Sequence, residues 1–191
     1  MFSIIDHGWV TTACRRPSAN CDDRPLDGAI ELLVIHGISV PAGEFGEDWI
    51  EDLFCNQLDP AAHPSFGELS ELRVSAHVLI RRDGSVIQFV PFEKRAWHAG
   101  ASSFEGRERC NDFSIGIELE GTDDTAYEAA QYQVLVRLTQ LLMNVYPGIT
   151  SSHVVGHCDI APGRKTDPGA SFDWVLFRTM LQDDTGSMTE G

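Results

Sequence analysis

The run Glu31-Leu-Leu-Val-Ile-His36 constrains this chain more than any other stretch. It is apolar without a polar gap and includes β-branched residues, the pattern of a strand covered on both faces. Such a strand belongs in a sheet with helices packed on it, so the fold class is α/β. Ser114-Ile-Gly-Ile-Glu-Leu-Glu120 adds a second strand. Its alternation puts Ile115, Ile117 and Leu119 on one face and Ser114, Gly116, Glu118 and Glu120 on the other. Two strand-like runs around Asp83-Gly84, within Val78 to Val90, read as a hairpin. Ser152 to His157 is a further short strand.

Thr125-x-x-Glu128 has capping-box spacing. Tyr127, Val134, Leu138, Leu141 and Val145 then recur at helical intervals until Pro147-Gly148 stops them. Shorter helices are expected over Glu47 to Phe54, with Trp49, Ile50, Leu53 and Phe54 inward, and after Ser171, with Trp174, Val175 and Leu181 inward. The whole reads as a single domain over residues 1–181, a mixed central sheet flanked by helices, with 182–191 a flexible tail. The loops from Gly37 to Glu47 and from Gln57 to Leu72 are long enough to act as lids.

Composition works by exclusion. The 191 residues carry 29 acidic and 14 basic side chains, a formal charge of −15. That balance excludes a non-specific nucleic-acid binder, which needs a basic face, and disfavours docking on an anionic membrane or wall. No apolar stretch reaches the ~18 residues that a spanning helix needs. The N-terminal residues show neither a basic start nor a long apolar run, and five cysteines without a CxxC pair fit a reducing compartment. A cytoplasmic monomer acting on a small soluble substrate is the expectation, with no nucleic-acid or membrane partner.

Chemistry concentrates between Gly156 and Gly169, where an imidazole, a thiol, two carboxylates and a lysine share one loop fixed by Pro162, Pro168 and flanking glycines. Imidazole and carboxylate suit zinc, and a catalytic zinc takes three protein ligands and leaves one position open. In α/β sheets ligands bind beyond the strand ends. His36, His157 and Asp167 would there supply two nitrogens and an oxygen to an ion, a site of formal charge +1. His153, four residues before His157, competes by spacing alone. Cys158 is expected to be a buried thiol, and His63 a surface residue. His77 and His98 either line a cleft or bond to backbone. Glu118 and Glu120 are both candidate bases on one strand face, and Gly116 leaves room there for metal or substrate.

These segments together carry a resemblance. Val34-Ile-His36, Arg73-Val-Ser-Ala-His77, Lys94-Arg-Ala-Trp-His-Ala-Gly100, the stretch from Arg107 to Gly121, the loop from Gly156 to Gly169 and Pro168-Gly-Ala-Ser-Phe-Asp-Trp174 run in order over nearly the whole chain. They resemble the cytoplasmic 1,6-anhydro-N-acetylmuramoyl-L-alanine amidases, part of the zinc amidase family that includes phage amidase lysozymes and peptidoglycan-recognition proteins. The resemblance implies that fold, one zinc per chain on His36, His157 and Asp167, and Glu118 and Lys165 as catalytic residues. It implies hydrolysis of the amide between the lactyl group of (anhydro-)N-acetylmuramic acid and L-alanine of a stem peptide, in muropeptide recycling. Arg73 and Arg109, with Trp97 and His98, are assigned to the substrate cleft. Two departures stand out: Gly37 replaces an asparagine of the pattern, and the third ligand is a carboxylate where phage and recognition-protein relatives use cysteine. Competing readings are a peptidoglycan-binding module without turnover and a lytic amidase acting on intact wall.

Overall fold

The computed structural model describes residues 2–5, 8–26 and 28–186. Six strands form the main sheet: Cys14–Arg15 (β1), Leu32–Ile38 (β2), Val78–Ile80 (β3), Val86–Gln88 (β4), Ser114–Glu120 (β5) and Val154–Gly156 (β6), in the spatial order β6-β2-β5-β3-β4-β1. All neighbours are parallel except the β3–β4 hairpin, which turns through Gly84 at φ +84°. The sheet is therefore mixed, and β2 and β5 are both interior strands, paired on each side. That position explains the gapless run at 32–35, which is fully buried on both faces.

One face of the sheet presents Leu33, Ile35, Ile115, Ile117 and Leu119 to the long helix Ala129–Val145 and to the C-terminal helix Trp174–Gly186. On the other face Leu32 and Val34 join Val155, Phe113 and Ile160 in a smaller core. Toward the β4 edge, Leu79 and Ile87 are covered by Ile50, Leu53 and Phe54 of helix Trp49–Phe54. In chain order the helices are Trp49–Phe54 (α1), Phe66–Leu69 (α2), Ala129–Val145 (α3), His157–Ile160 (α4) and Trp174–Gly186 (α5). The loop expected from Gln57 to Leu72 thus contains α2, with Phe66 fully buried.

Several local expectations shift. Helix α3 is capped at Glu128, whose N–H donates to Gln131 Oε1 at 3.0 Å, not at Thr125. Thr125 instead gives its own N–H to Thr122 Oγ1 at 3.0 Å, a local turn that delays the helix. The buried stripe is correspondingly Tyr132, Leu135, Val136, Leu138 and Leu142, and Val145 is exposed. On α5, Phe177 and Leu181 face the core while Val175 is 77% exposed, because it lies about half a turn round the helix from Phe177. The expected tail at 182–191 begins on α5, which runs to Gly186; residues 187–191 lie outside the described residues. No helix among the described residues is long and apolar enough to cross a membrane.

Candidate active site

The three adjacent parallel strands β6, β2 and β5 end side by side, and each delivers a polar group to the crevice beyond. His36 of β2 is the register partner of Glu118 of β5, so both side chains leave the sheet on one face. Strand β6 stops at Gly156, the partner of Ile35, which puts His157 at the start of α4 alongside His36. Asp167 returns by a closed loop: the Cys158 N–H donates to the Asp167 carbonyl at 2.9 Å, and Lys165 N–H to Ala161 at 3.1 Å. Asp159 Oδ2 accepts the Gly156 N–H at 2.7 Å and ties the loop to the strand end.

These paths converge on one point. His36 Nδ1 lies 3.0 Å from His157 Nδ1 and 3.1 Å from Asp167 Oδ2, and His157 Nδ1 lies 3.0 Å from the same oxygen. Both imidazoles are buried, at 1% and 3% exposure. This triangle is a group that could hold a metal ion. Its edges approach the roughly 3.3–3.5 Å edge of a tetrahedron with the bond lengths typical of zinc. The protonation states also fit. His157 Nε2 contacts the Ala99 carbonyl at 3.2 Å, and a carbonyl only accepts, so the hydrogen sits on Nε2 and Nδ1 keeps its lone pair. Burial lowers the His36 pKa to about 4, outweighing the pull of Asp167, so the ring is neutral at pH 7. For Asp167 burial opposes ionisation, but the two imidazoles beside it prevail and hold the carboxyl below its usual range.

Glu118 stands beside the triangle, Oε1 4.0 Å from His36 Nδ1, with Oε2 buried and without a protein partner. Burial first, and then the Asp167 charge, push its pKa well above the usual carboxylate range, while Lys165 pulls the other way. Lys165 itself is exposed on the loop. The set comprises a convergent N,N,O donor group, a carboxyl of shifted acidity and a nearby ammonium, the parts of a hydrolytic metal site.

The profile of the N-acetylmuramoyl-L-alanine amidase family matches residues 26–170. The 1,6-anhydro-N-acetylmuramyl-L-alanine amidase AmpD of Escherichia coli strain K12 is 58% identical over 182 residues, 95% of this chain and 99% of its own. The chain belongs to the N-acetylmuramoyl-L-alanine amidases, in the AmpD group. A solved AmpD, a selenomethionine derivative, matches with a TM-score of 0.90 at 59% identity, over 93% of this chain and 99% of its own. Escherichia coli AmiD, solved with anhydro-N-acetylmuramic acid-L-Ala-D-γ-Glu-L-Lys, matches with a TM-score of 0.57 at 28% identity, over 93% of this chain and 65% of its own. The protein is accordingly a hydrolase of an amide.

In this amidase the other residues singled out in the sequence are placed differently from one another. Arg109 is 71% exposed and lines an open groove of about 540 Å³ with Ser102, Glu108 and Arg164. Arg73 is exposed but folds back on its own loop, donating from Nη1 to the carbonyls of Ser70 and Leu72. Trp97 is half-buried, and its backbone N–H donates to Ser75 Oγ at 3.1 Å. His98 has neither ring nitrogen free for substrate: Nδ1 meets His36 Nε2 at 2.9 Å and Nε2 meets Ser114 Oγ at 3.1 Å. His153 lies in a turn before β6, not on the strand, and its Nδ1 binds the carbonyls of Glu31 and Gly148. Cys158 is half-buried on α4 rather than fully buried.

Two glycines have a sharper meaning here than their letters convey. A Cβ on Gly116 would meet the His98 ring at 2.5 Å, so the space it leaves is taken by that imidazole, not by metal or substrate. A Cβ on Gly37 would lie 2.2 Å from Tyr127 Oη, which donates to the Pro168 carbonyl at 2.9 Å, next to Asp167. The place of a side chain at 37 is thus filled from α3's approach. Tyr127 looked only like a helix-face residue, and Asn111, whose Oδ1 accepts the N–H groups of His98 and Ala99, had no pattern to mark it.

Proposed function

We propose that this amidase holds one zinc ion on His36, His157 and Asp167 and cleaves the amide joining the lactyl group of 1,6-anhydro-N-acetylmuramic acid to L-alanine of the stem peptide. The observation that carries the proposal is the Nδ1, Nδ1, Oδ2 triangle, with edges of 3.0–3.1 Å, beside a buried carboxyl. The substrate follows from the E. coli relative at 58% identity and from the anhydro-muropeptide bound to AmiD. When bound, zinc polarises a carbonyl as a Lewis acid and lowers the pKa of water toward ~7.

The chain's own groups divide the remaining work. Glu118, as carboxylate, accepts the proton of the attacking water at its unpartnered Oε2 and passes it to the departing alanine amine. Its raised pKa makes the carboxylate a stronger acceptor of the water proton, and the Lys165 charge helps to keep it ionised for that step. Lys165 supplies a cation to the oxygen that gains charge during attack. Arg109, on the open groove, meets a carboxylate of the peptide stem. A small substrate in a cytoplasmic recycling step suits a chain with a formal charge of −15, acting as a monomer.

The test is mass spectrometry of anhydro-muropeptide incubated with zinc-loaded and with chelated protein, and of intact sacculi treated in parallel. Free stem peptide from the soluble substrate, formed only by the loaded protein, is the expected result. Equal cleavage in both samples overturns the metal assignment, and preferential digestion of sacculi overturns the substrate.

A further inference from the structure

A histidine that offers Nδ1 to a metal must carry its hydrogen on Nε2, and a buried N–H needs an acceptor. For His157 that acceptor is the Ala99 carbonyl at 3.2 Å. For His36 it is His98 Nδ1 at 2.9 Å. His98 can accept there only if its own hydrogen is on Nε2, where Ser114 Oγ lies 3.1 Å away. The three groups therefore form one directed chain, His36 to His98 to Ser114, and its polarity leaves the His36 Nδ1 lone pair facing His157 and Asp167.

The two acceptors belong to consecutive residues. Asn111 Oδ1 accepts the N–H of His98 at 3.1 Å and of Ala99 at 2.8 Å, and Arg164 Nη2 donates to the carbonyls of Ala99 and Ala101, both at 2.7 Å. The rings of His36 and His98 meet edge to face at 5.0 Å, and the bare Gly116 backbone leaves the second ring its room. Of this arrangement only Ala101 and Arg164 border the open groove of Arg109; His98, Ala99 and Asn111 do not line it, so these three serve the ligands.

We infer that His98 is a positioning residue that fixes the tautomer and orientation of His36, and that the 98–99 segment, clamped by Asn111, holds both candidate histidine ligands from behind. The inference rests on the zinc reading above. Partners of this kind typically change metal affinity 10–100-fold when removed.

The test measures zinc affinity by chelator competition, and KM for anhydro-muropeptide at saturating zinc, for the unaltered protein, His98→Leu and His98→Gln. His98→Leu is expected to bind zinc about 10–100-fold more weakly, with KM within about twofold. His98→Gln, which keeps an acceptor oxygen, is expected to recover part of that loss. Wild-type zinc affinity in folded His98→Leu, or a raised KM with unchanged affinity, overturns the inference. Should His98→Leu fail to give a native circular dichroism spectrum, Ser114→Ala takes its place under the same criterion. A wild-type protein that binds no zinc sinks the metal reading itself, a separate outcome from equal affinities in wild type and variant.

Discussion

Glu118 and Glu120 sit two residues apart on the same face of β5, and both are buried, yet their surroundings separate them. Glu120 is fully engaged: Oε1 accepts the Gly46 N–H at 2.7 Å, Oε2 accepts the Arg82 N–H at 3.2 Å, and Arg81 lies 3.6 Å away. Glu118 has an oxygen with no protein partner, next to the triangle that could hold a metal ion. Glu118→Gln is therefore expected to lower kcat by about 10²–10⁴-fold with zinc content unchanged. Glu120→Gln should leave kcat within a few-fold and lower the urea midpoint, since it weakens the anchor of the Gly46 loop. Steady-state kinetics, metal analysis and urea unfolding on the two variants decide the matter; an equal kcat loss in both would remove the distinction. His77 supplies a pH test at the same scale. Its Nδ1 accepts the Gly116 N–H and its Nε2 donates to the Lys94 carbonyl, so the ring is neutral. Burial, and then the Arg24 charge, hold its pKa well below 6.5. The unfolded chain takes up a proton below about pH 6.5 and the folded chain does not, so this stability is complete above that pH and falls as pH drops toward the folded pKa. Against His77→Gln, which retains a donor and an acceptor, the wild type should lose relative stability below pH 6.5 by at most about 1.4 kcal/mol per pH unit. Urea titrations from pH 7.5 to 5 measure it, and parallel curves would refute a neutral His77.

Elements were legible where a pattern repeats. The gapless run at β2, the alternation at β5 and the Asp83-Gly84 turn each specify a strand by side-chain period, and all three form. Ligand candidates were legible because strand ends in a parallel sheet converge; the partners behind them were not, because they act through single contacts with no period. Tyr127 is the plain case. Its capping-box neighbours suggested a place on the helix, but the helix begins at Ala129, and the residues before it form a strap across the end of β2. From that strap Tyr127 Oη donates to the buried Pro168 carbonyl, binding α3's approach to the loop that carries Asp167. Tyr127→Phe removes the hydroxyl and leaves the carbonyl unsatisfied, at an expected cost of about 1–3 kcal/mol. Urea unfolding of zinc-free protein measures the cost, and weaker zinc binding should accompany it because Asp167 is less firmly placed. No change in either quantity would mean that the hydroxyl does not hold the loop.

Across the whole molecule the formal charge of −15 sets a balance between repulsion and local pairing. The pairs Arg107–Glu31, Lys94–Asp23 and Arg109–Asp112 each expose at least one partner, and such pairs contribute only about 0–1 kcal/mol apiece. The Arg81–Glu51 pair is held inside, with Glu51 at 1% exposure, and salt screens it much less. The larger salt-sensitive quantity is then the repulsion among acidic groups that outnumber the basic ones by 29 to 14. Raising ionic strength from about 0.01 to 0.1 M shortens the Debye length from about 30 to 10 Å, which removes most of that long-range repulsion while contacts at ion-pair distance persist. At pH 7 and fixed zinc, the Tm should rise with added NaCl by about 2–4 °C, equivalent to roughly 1 kcal/mol for a chain of this size. Scanning calorimetry over that range tests the sign. A fall in Tm would show that the surface pairs, and not the excess negative charge, dominate the electrostatics of this fold.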